Sequence, residues 1–182
     1  MRRFWPNLLG NQLVWLCSVA GAARGWQWPA LLAATLYVAS QLPGSPQPRL
    51  DVRLMVLALA CAWFVDAGAA ASGTVRYAAA PWGWAPPPWI LALWAAFAMT
   101  LTTSMTFLQR HAALPLLFGA LLAPLAYLSA ARGFEAVRFV APAWQGLLVL
   151  GAGWAIALSL LCRVARRGMR ASPPPSLAGV SS

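Results

Sequence analysis

Six stretches of this 182-residue chain are long, apolar and almost free of charge, and they decide what it can fold into. They run Trp5–Ala23, Trp26–Leu42, Val52–Ser72, Trp89–Leu108, Ala112–Ala131 and Pro142–Cys162. A helix needs about 20 mostly apolar residues to cross the hydrocarbon core of a bilayer, so each stretch reads as a transmembrane helix, the second being the shortest. Each is bounded by charge, Pro or Gly, as helix ends are. The expected fold class is all-α, an integral membrane bundle of about six transmembrane helices. Charged residues make up 9% of the chain, against about 25% in a soluble domain, so most of its surface cannot face water. Residues 1–170 form a single transmembrane helical domain, and short connections make sequential helices antiparallel neighbours. The tail Ala171–Ser182, polar and Pro-rich, is expected to be disordered and cytoplasmic. Arg2 and Arg3 before an apolar run outline a secretory signal, but Asn7, Asn11 and Gln12 interrupt it, so it is kept as helix one.

A net charge of +10 invites a nucleic-acid reading, and the placement of the arginines excludes it. All 13 basic residues are arginine, and they lie between the apolar stretches without forming a stripe. With six spans, Arg2, Arg3, Arg49, Arg53, Arg110, Arg163, Arg166, Arg167 and Arg170 share one side, and Arg24, Arg76, Arg132 and Arg138 share the other. The positive-inside rule then puts both termini in the cytoplasm of a bacterial inner membrane. The absence of lysine and the scarcity of Ile and Asn fit a GC-rich bacterial genome, so arginine here reflects codon usage more than chemistry. Cys17, Cys61 and Cys162 sit in three different stretches, with no spacing for a zinc site or disulfide framework.

Inside the third stretch stands Asp66, one of three acidic residues in the chain. A lone carboxylate at membrane depth costs roughly 2.5–3.5 kcal/mol on insertion scales and is usually partnered. At ~1.5 Å rise per residue it lies ~21 Å along helix three from Val52. Tyr127 on helix five and Trp94 on helix four reach the same level, with Arg132 and Arg76 just above. Asp66, Tyr127, Trp94 and Arg132 therefore form the candidate polar cluster. A second candidate layer lies nearer the cytoplasm, where Asn11 and Gln12 of helix one meet Ser104, with Thr103 and Thr106, of helix four. Asp66 has three readings: it fixes helix register, it serves a ligand or proton relay, or it takes part in catalysis.

No catalytic set is present: no phosphate-cradling glycine loop, no H-E-x-x-H, no G-x-S-x-G and no nearby carboxylate pair. The single His111 reads as interfacial, and neither metal nor other cofactor is expected. Glu135, between Arg132 and Arg138, reads as part of a solvated ion-pair network. The connection Gly73–Pro88, with Trp82 and Trp84, reads either as an interfacial aromatic belt or as a lid over an outward cavity. Small residues at i, i+4 (Gly68 with Ser72, Gly119 with Ala123, Ala126 with Ala130, Gly153 with Ala157) favour close helix packing. Leu31-Leu32-Ala33 with Tyr37 matches Leu121-Leu122-Ala123 with Tyr127, the pairing a three-plus-three repeat would give.

The order Asn7, Asn11-Gln12-x-x-Trp15, then Asp66, then Pro88-Trp89 leading to Leu93-Trp94-x-x-Phe97, Leu101 and Ser104, closes with Gly119, Pro124, Leu125 and Tyr127. In this order the chain resembles a family of small bacterial inner-membrane proteins catalogued as domain of unknown function 2878, over nearly its whole length except the tail. The resemblance implies a multi-helix inner-membrane protein and no particular activity.

Three functions follow from these residues. The first is binding or transport of a small amphiphile or lipid through the Asp66 cluster. The second is a structural or accessory subunit docking on a membrane-protein partner. The third, weakest because one carboxylate stands without metal or histidine, is a lipid-modifying enzyme. Membrane lipids are the expected surroundings in all three, and the oligomeric state is left open.

Overall fold

Proline opens three of the helices, where its missing N–H costs nothing and its fixed φ suits the first turn. The computed structural model describes residues 3–171. It contains α1 (Phe4–Ala23), α2 (Trp28–Gln41), α3 (Pro48–Ala71), β1 (Val75–Tyr77), α4 (Pro88–Ala98), a 3-10 turn (Thr106–Gln109), α5 (Ala113–Phe134), β2 (Val137–Phe139) and α6 (Ala143–Ala171). Pro29, Pro48 and Pro88 stand in the first turns of α2, α3 and α4. The tail expectation falls on residues 172–182, outside those described, apart from Ala171, which closes α6.

Helix α1 ends in a Schellman turn. Trp26 N–H donates to Gly21 O at 3.0 Å and Gly25 N–H to Ala22 O at 2.9 Å, with Gly25 at φ +78°. That left-handed φ is where glycine carries no Cβ penalty.

Helix α4 sits between α1, α2 and α3, while α5 packs most extensively on α6 and α6 on α3. The α5/α6 seam is close because Gly119 has no side chain. A Cβ there would stand 2.5 Å from the Trp154 carbonyl oxygen. Gly153 likewise admits Val65, whereas Gly68 faces open space and makes no close approach. Neither α2 with α3 nor α4 with α5 packs extensively, so sequential neighbours hold for α1/α2, α3/α4 and α5/α6 only. The halves pack differently, contrary to a three-plus-three repeat.

The outer face of the bundle is as apolar as its core. Leu9, Leu13, Leu36, Val56, Phe64, Leu121 and Ile156 are all exposed, on five different helices. Such a surface suits lipid and not water. Among the described residues three helices are long and apolar enough to cross a membrane: Pro48–Ala71, Ala113–Phe134 and Ala143–Arg170. Six uniform spans do not appear. Helix α1 has 20 residues, but Asn7, Asn11 and Gln12 lower its hydropathy. Helix α2 has 14 residues and α4 has 11, too short for an untilted crossing.

The largest departure from expectation is in the fourth stretch. Trp89–Leu108 is not one helix: α4 stops at Ala98. Its last backbone bonds tighten to i→i−3 (Met99 N–H to Ala96 O, Thr100 N–H to Phe97 O, Leu101 N–H to Ala98 O), and turns follow. Thr100, Thr102, Thr103, Ser104 and Thr106 supply hydroxyls that compete for backbone partners, which favours turns over helix. Met99, Thr100, Leu101 and Ser104 are buried, as irregular backbone in an apolar bundle has to be. Helix α6, by contrast, runs past Cys162 to Ala171, bringing Gly168 against the Leu50 side chain.

Candidate functional site

Helix α3 carries Asp66 on the face turned to α4 and α5, where it is fully buried. Trp94 Nε1 donates to Asp66 Oδ2 at 2.8 Å, and the Tyr127 hydroxyl donates to Oδ1 at 2.6 Å. The Tyr77 hydroxyl donates to the same Oδ1 at 2.9 Å. Trp154 Nε1 donates to the Tyr127 oxygen at 3.3 Å. An indole N–H can only donate, so Tyr127 accepts from Trp154 and directs its own proton at Asp66. Asp66 is thus the acceptor at the end of three donor lines, with no cation among its partners. Tyr77, on β1 outside the helices, has its phenol pushed well above the usual value by burial and then by the Asp66 carboxylate, which keeps it a donor.

The structure therefore brings Asp66, Tyr127 and Trp94 into direct contact and leaves Arg132 out. Arg132 is exposed on the last turn of α5 and makes no ion pair among the described residues. It follows Tyr127 by five positions, ~140° round the helix, so it cannot share that face. Tyr77 and Trp154 were not among the sequence candidates. The signal for Tyr77 was a Val-Arg-aromatic triplet occurring twice, Val75-Arg76-Tyr77 and Val137-Arg138-Phe139, which pair as an antiparallel two-stranded sheet.

Beside this network lies a cavity of about 420 Å³ bounded by α1, α4, α5 and α6. Trp15, Trp89, Trp94, Phe97, Phe118 and Trp154 set aromatic rings into a wall that is otherwise mostly aliphatic. Asn11, Gln12, Ser129 and Tyr127 contribute the polar groups. Along α5 the lining runs from Phe118 to Ala130, a length of ~18 Å, so the cavity is an elongated groove. Its exposed lining residues, Gln12 of α1 with Leu122 and Ser129 of α5, set its mouth between those helices, which meet over only a short stretch. Trp94 and Trp154 stack at its floor, with ring centroids 3.7 Å apart and planes 20° from parallel. Asp66 does not touch the groove. It holds two wall residues, Trp94 and Tyr127, in place from behind.

The second polar layer exists with different membership. Asn7, not Asn11, is its centre. Asn7 Nδ2 donates to the Tyr37 hydroxyl (2.9 Å), Gln41 Oε1 (3.3 Å) and Met99 O (3.1 Å). Asn7 Oδ1 accepts from Ser104 N–H (3.3 Å) and Ser104 Oγ (2.6 Å). Gln109 Nε2 donates to Leu101 O at 2.7 Å. Asn7 and Gln109 thus satisfy backbone groups freed where α4 breaks. The side chains of Asn11 and Gln12 make no hydrogen bond among the described residues and line the groove instead. The expected depths assumed an unbroken helix four, and the break moves Ser104 to Asn7.

Asp51 is a buried acid that sequence reasoning passed over, since Arg49 and Arg53 flank it in an inner connection. Thr102 Oγ1 donates to its Oδ1 at 2.5 Å. His111 and Glu135 are exposed; Glu135 closes α5 at φ +57° with no ion pair among the described residues. Trp82 and Trp84 are each 60% exposed and do not line the groove, so they form no lid over it. Among the described residues no group of three or more His, Cys, Asp or Glu stands together to hold a metal. A family model described as a protein of unknown function (DUF2878) matches residues 4–160. No curated protein and no solved structure matches the chain.

Proposed function

The chain belongs to the DUF2878 family, whose description assigns no activity, and we propose that it is an inner-membrane protein that binds a small amphiphile or lipid in the α1/α4/α5/α6 groove. The observation that carries this reading is the groove itself: about 420 Å³, lined by aliphatic and aromatic side chains, with a few polar groups. Ligand sites are built in this way, mostly apolar with few convergent polar groups. The wall is held rigid from behind by the Asp66 bonds, and pre-organised walls bind with less ordering cost.

In this reading all six helical segments lie in the membrane, the short α4 as a half-helix buried among its neighbours. Both termini face the cytoplasm, in keeping with the arginine distribution. Broken helices beside a cavity are a recurring feature of membrane transporters, which favours movement of the ligand as well as binding.

Native mass spectrometry of protein extracted in mild detergent tests the proposal, with Ala126→Phe filling the groove. A retained small-molecule mass that the filled variant loses supports it. Retention unchanged by the variant, or a co-isolating protein with no small ligand, would turn the reading to an accessory subunit.

A further inference from the structure

The two-stranded sheet holds two like charges face to face, which ordinarily weakens strand pairing. Its register sets Arg76 of β1 directly opposite Arg138 of β2. Both are exposed, on the face away from the buried Val75, Tyr77 and Val137. The flanking bonds are Ala78 N–H to Ala136 O and Val140 N–H to Thr74 O, each 2.9 Å. They make the arginine pair a hydrogen-bonded position, where facing Cα atoms stand ~5.5 Å apart. Of the two acids near this end of the bundle, Asp66 is buried behind the sheet and accepts from Tyr77, Tyr127 and Trp94, and Glu135 pairs with neither arginine among the described residues. Two guanidinium forks therefore start from adjacent strands with no ion-pair partner among the described residues.

The sheet's location says which anion it meets. β1 and β2 begin within a few residues of the ends of α3 and α5, two helices long and apolar enough to cross a membrane. Trp82, Trp84 and Trp144 are exposed at the same end, the position of an interfacial belt. We infer that Arg76 and Arg138 form a two-pronged site for the phosphate of an anionic lipid headgroup at the membrane surface. Guanidinium planes match phosphate oxygens bidentately, and an anion between them turns repulsion into attraction. Inorganic phosphate offers the same oxygens; a lipid is the source favoured here because the sheet is held at headgroup level. Neither arginine lines the groove, although the neighbouring Val137 does, and the variants below read the arginine site without filling the groove.

The test uses the purified full chain in a non-ionic detergent, with tail-labelled phosphatidylglycerol as the probe. Arg76→Gln and Arg138→Gln should each weaken binding about fivefold, and the double variant about 25-fold, the factor one basic residue contributes near an anionic surface. Arg24→Gln, at the same end but outside the sheet, should leave binding unchanged, and the double variant should melt no lower than the parent because a repulsion is gone. Equal binding by the parent and the double variant, or an equal loss in Arg24→Gln, would overturn the site. Tail-free inorganic phosphate binding as tightly as the lipid would overturn the lipid as its source. If the double Gln variant fails to fold, the Arg76→Lys/Arg138→Lys pair keeps the charge and loses the fork. It should bind more weakly than the parent, and parental affinity in it would contradict the two-pronged geometry.

Discussion

Replacing Asp66 by asparagine swaps one carboxylate oxygen for an NH₂ group and tests the whole donor arrangement. With the amide oxygen at the Oδ1 position, Tyr77 and Tyr127 keep their acceptor, but the amide NH₂ faces Trp94 Nε1–H, and two donors oppose each other. With the amide turned over, Trp94 is satisfied and the protons of both tyrosines lose theirs; Tyr127 already accepts from Trp154. Either rotamer strands at least one buried donor, at about 1–3 kcal/mol. Side-chain bonds between membrane helices average ~0.6 kcal/mol because the unfolded reference also finds partners, which pulls the loss down. Neutralising a buried carboxylate returns some desolvation energy and pulls it down further. We expect a net loss of about 1 kcal/mol, at the low end of that range, read by unfolding in mixed micelles followed through tryptophan fluorescence. Tyr77→Phe should cost less, about 0.5 kcal/mol, since Tyr127 still occupies Oδ1. An Asp66→Asn protein within ~0.5 kcal/mol of the parent would refute the directional account of the network.

Other substitutions separate the remaining elements. Asn7→Ala frees the Met99 carbonyl and the Ser104 N–H and hydroxyl, while the Tyr37 hydroxyl still donates to the residue-7 carbonyl, and should cost about 2–3 kcal/mol in the same unfolding assay, whereas Asn11→Ala, without a bonded partner, should cost under ~0.5 kcal/mol. Gly119→Val drives a side chain into the Trp154 backbone and should destabilise by about 1–3 kcal/mol, with a shift in tryptophan emission as the Trp94–Trp154 stack opens. Gly25→Val forces a β-branched residue to φ +78° and should cost about 1–2 kcal/mol, seen as a lower melting temperature with unchanged helix content.

Sequence patterns reached the parts of this fold that are local. Apolar runs located the starts of α1, α4, α5 and α6 to within one residue, because hydropathy and helix propensity act residue by residue, but missed the first turn of α3, whose Arg49, Asp51 and Arg53 are charged. Depth counting placed Asp66, Tyr127 and Trp94 at one level, because rise per residue is fixed in an unbroken helix. It could not place Arg132, since height along a helix says nothing about azimuth. The same counting failed for Asn11, Gln12 and Ser104, because helix four is broken by its hydroxyl run and distance along it is no longer ~1.5 Å per residue. Tyr77 and Trp154 depend on pairing and packing between segments far apart in sequence, which periodicity does not encode. Asp51 was hidden for a related reason: its arginine neighbours read as solvated, while the helix turns it inward to Thr102.

Photo-crosslinking in reconstituted bilayers with a diazirine-bearing lipid, with labelled residues mapped by mass spectrometry, tests most directly whether the groove along α5 holds an amphiphile. Labelling should concentrate on groove residues such as Trp15, Phe118, Leu122 and Ala126, and be lost from them in Ala126→Phe. Labelling spread evenly over the outward residues Leu36, Val56, Phe64 and Ile156, with none in the groove, would contradict groove binding.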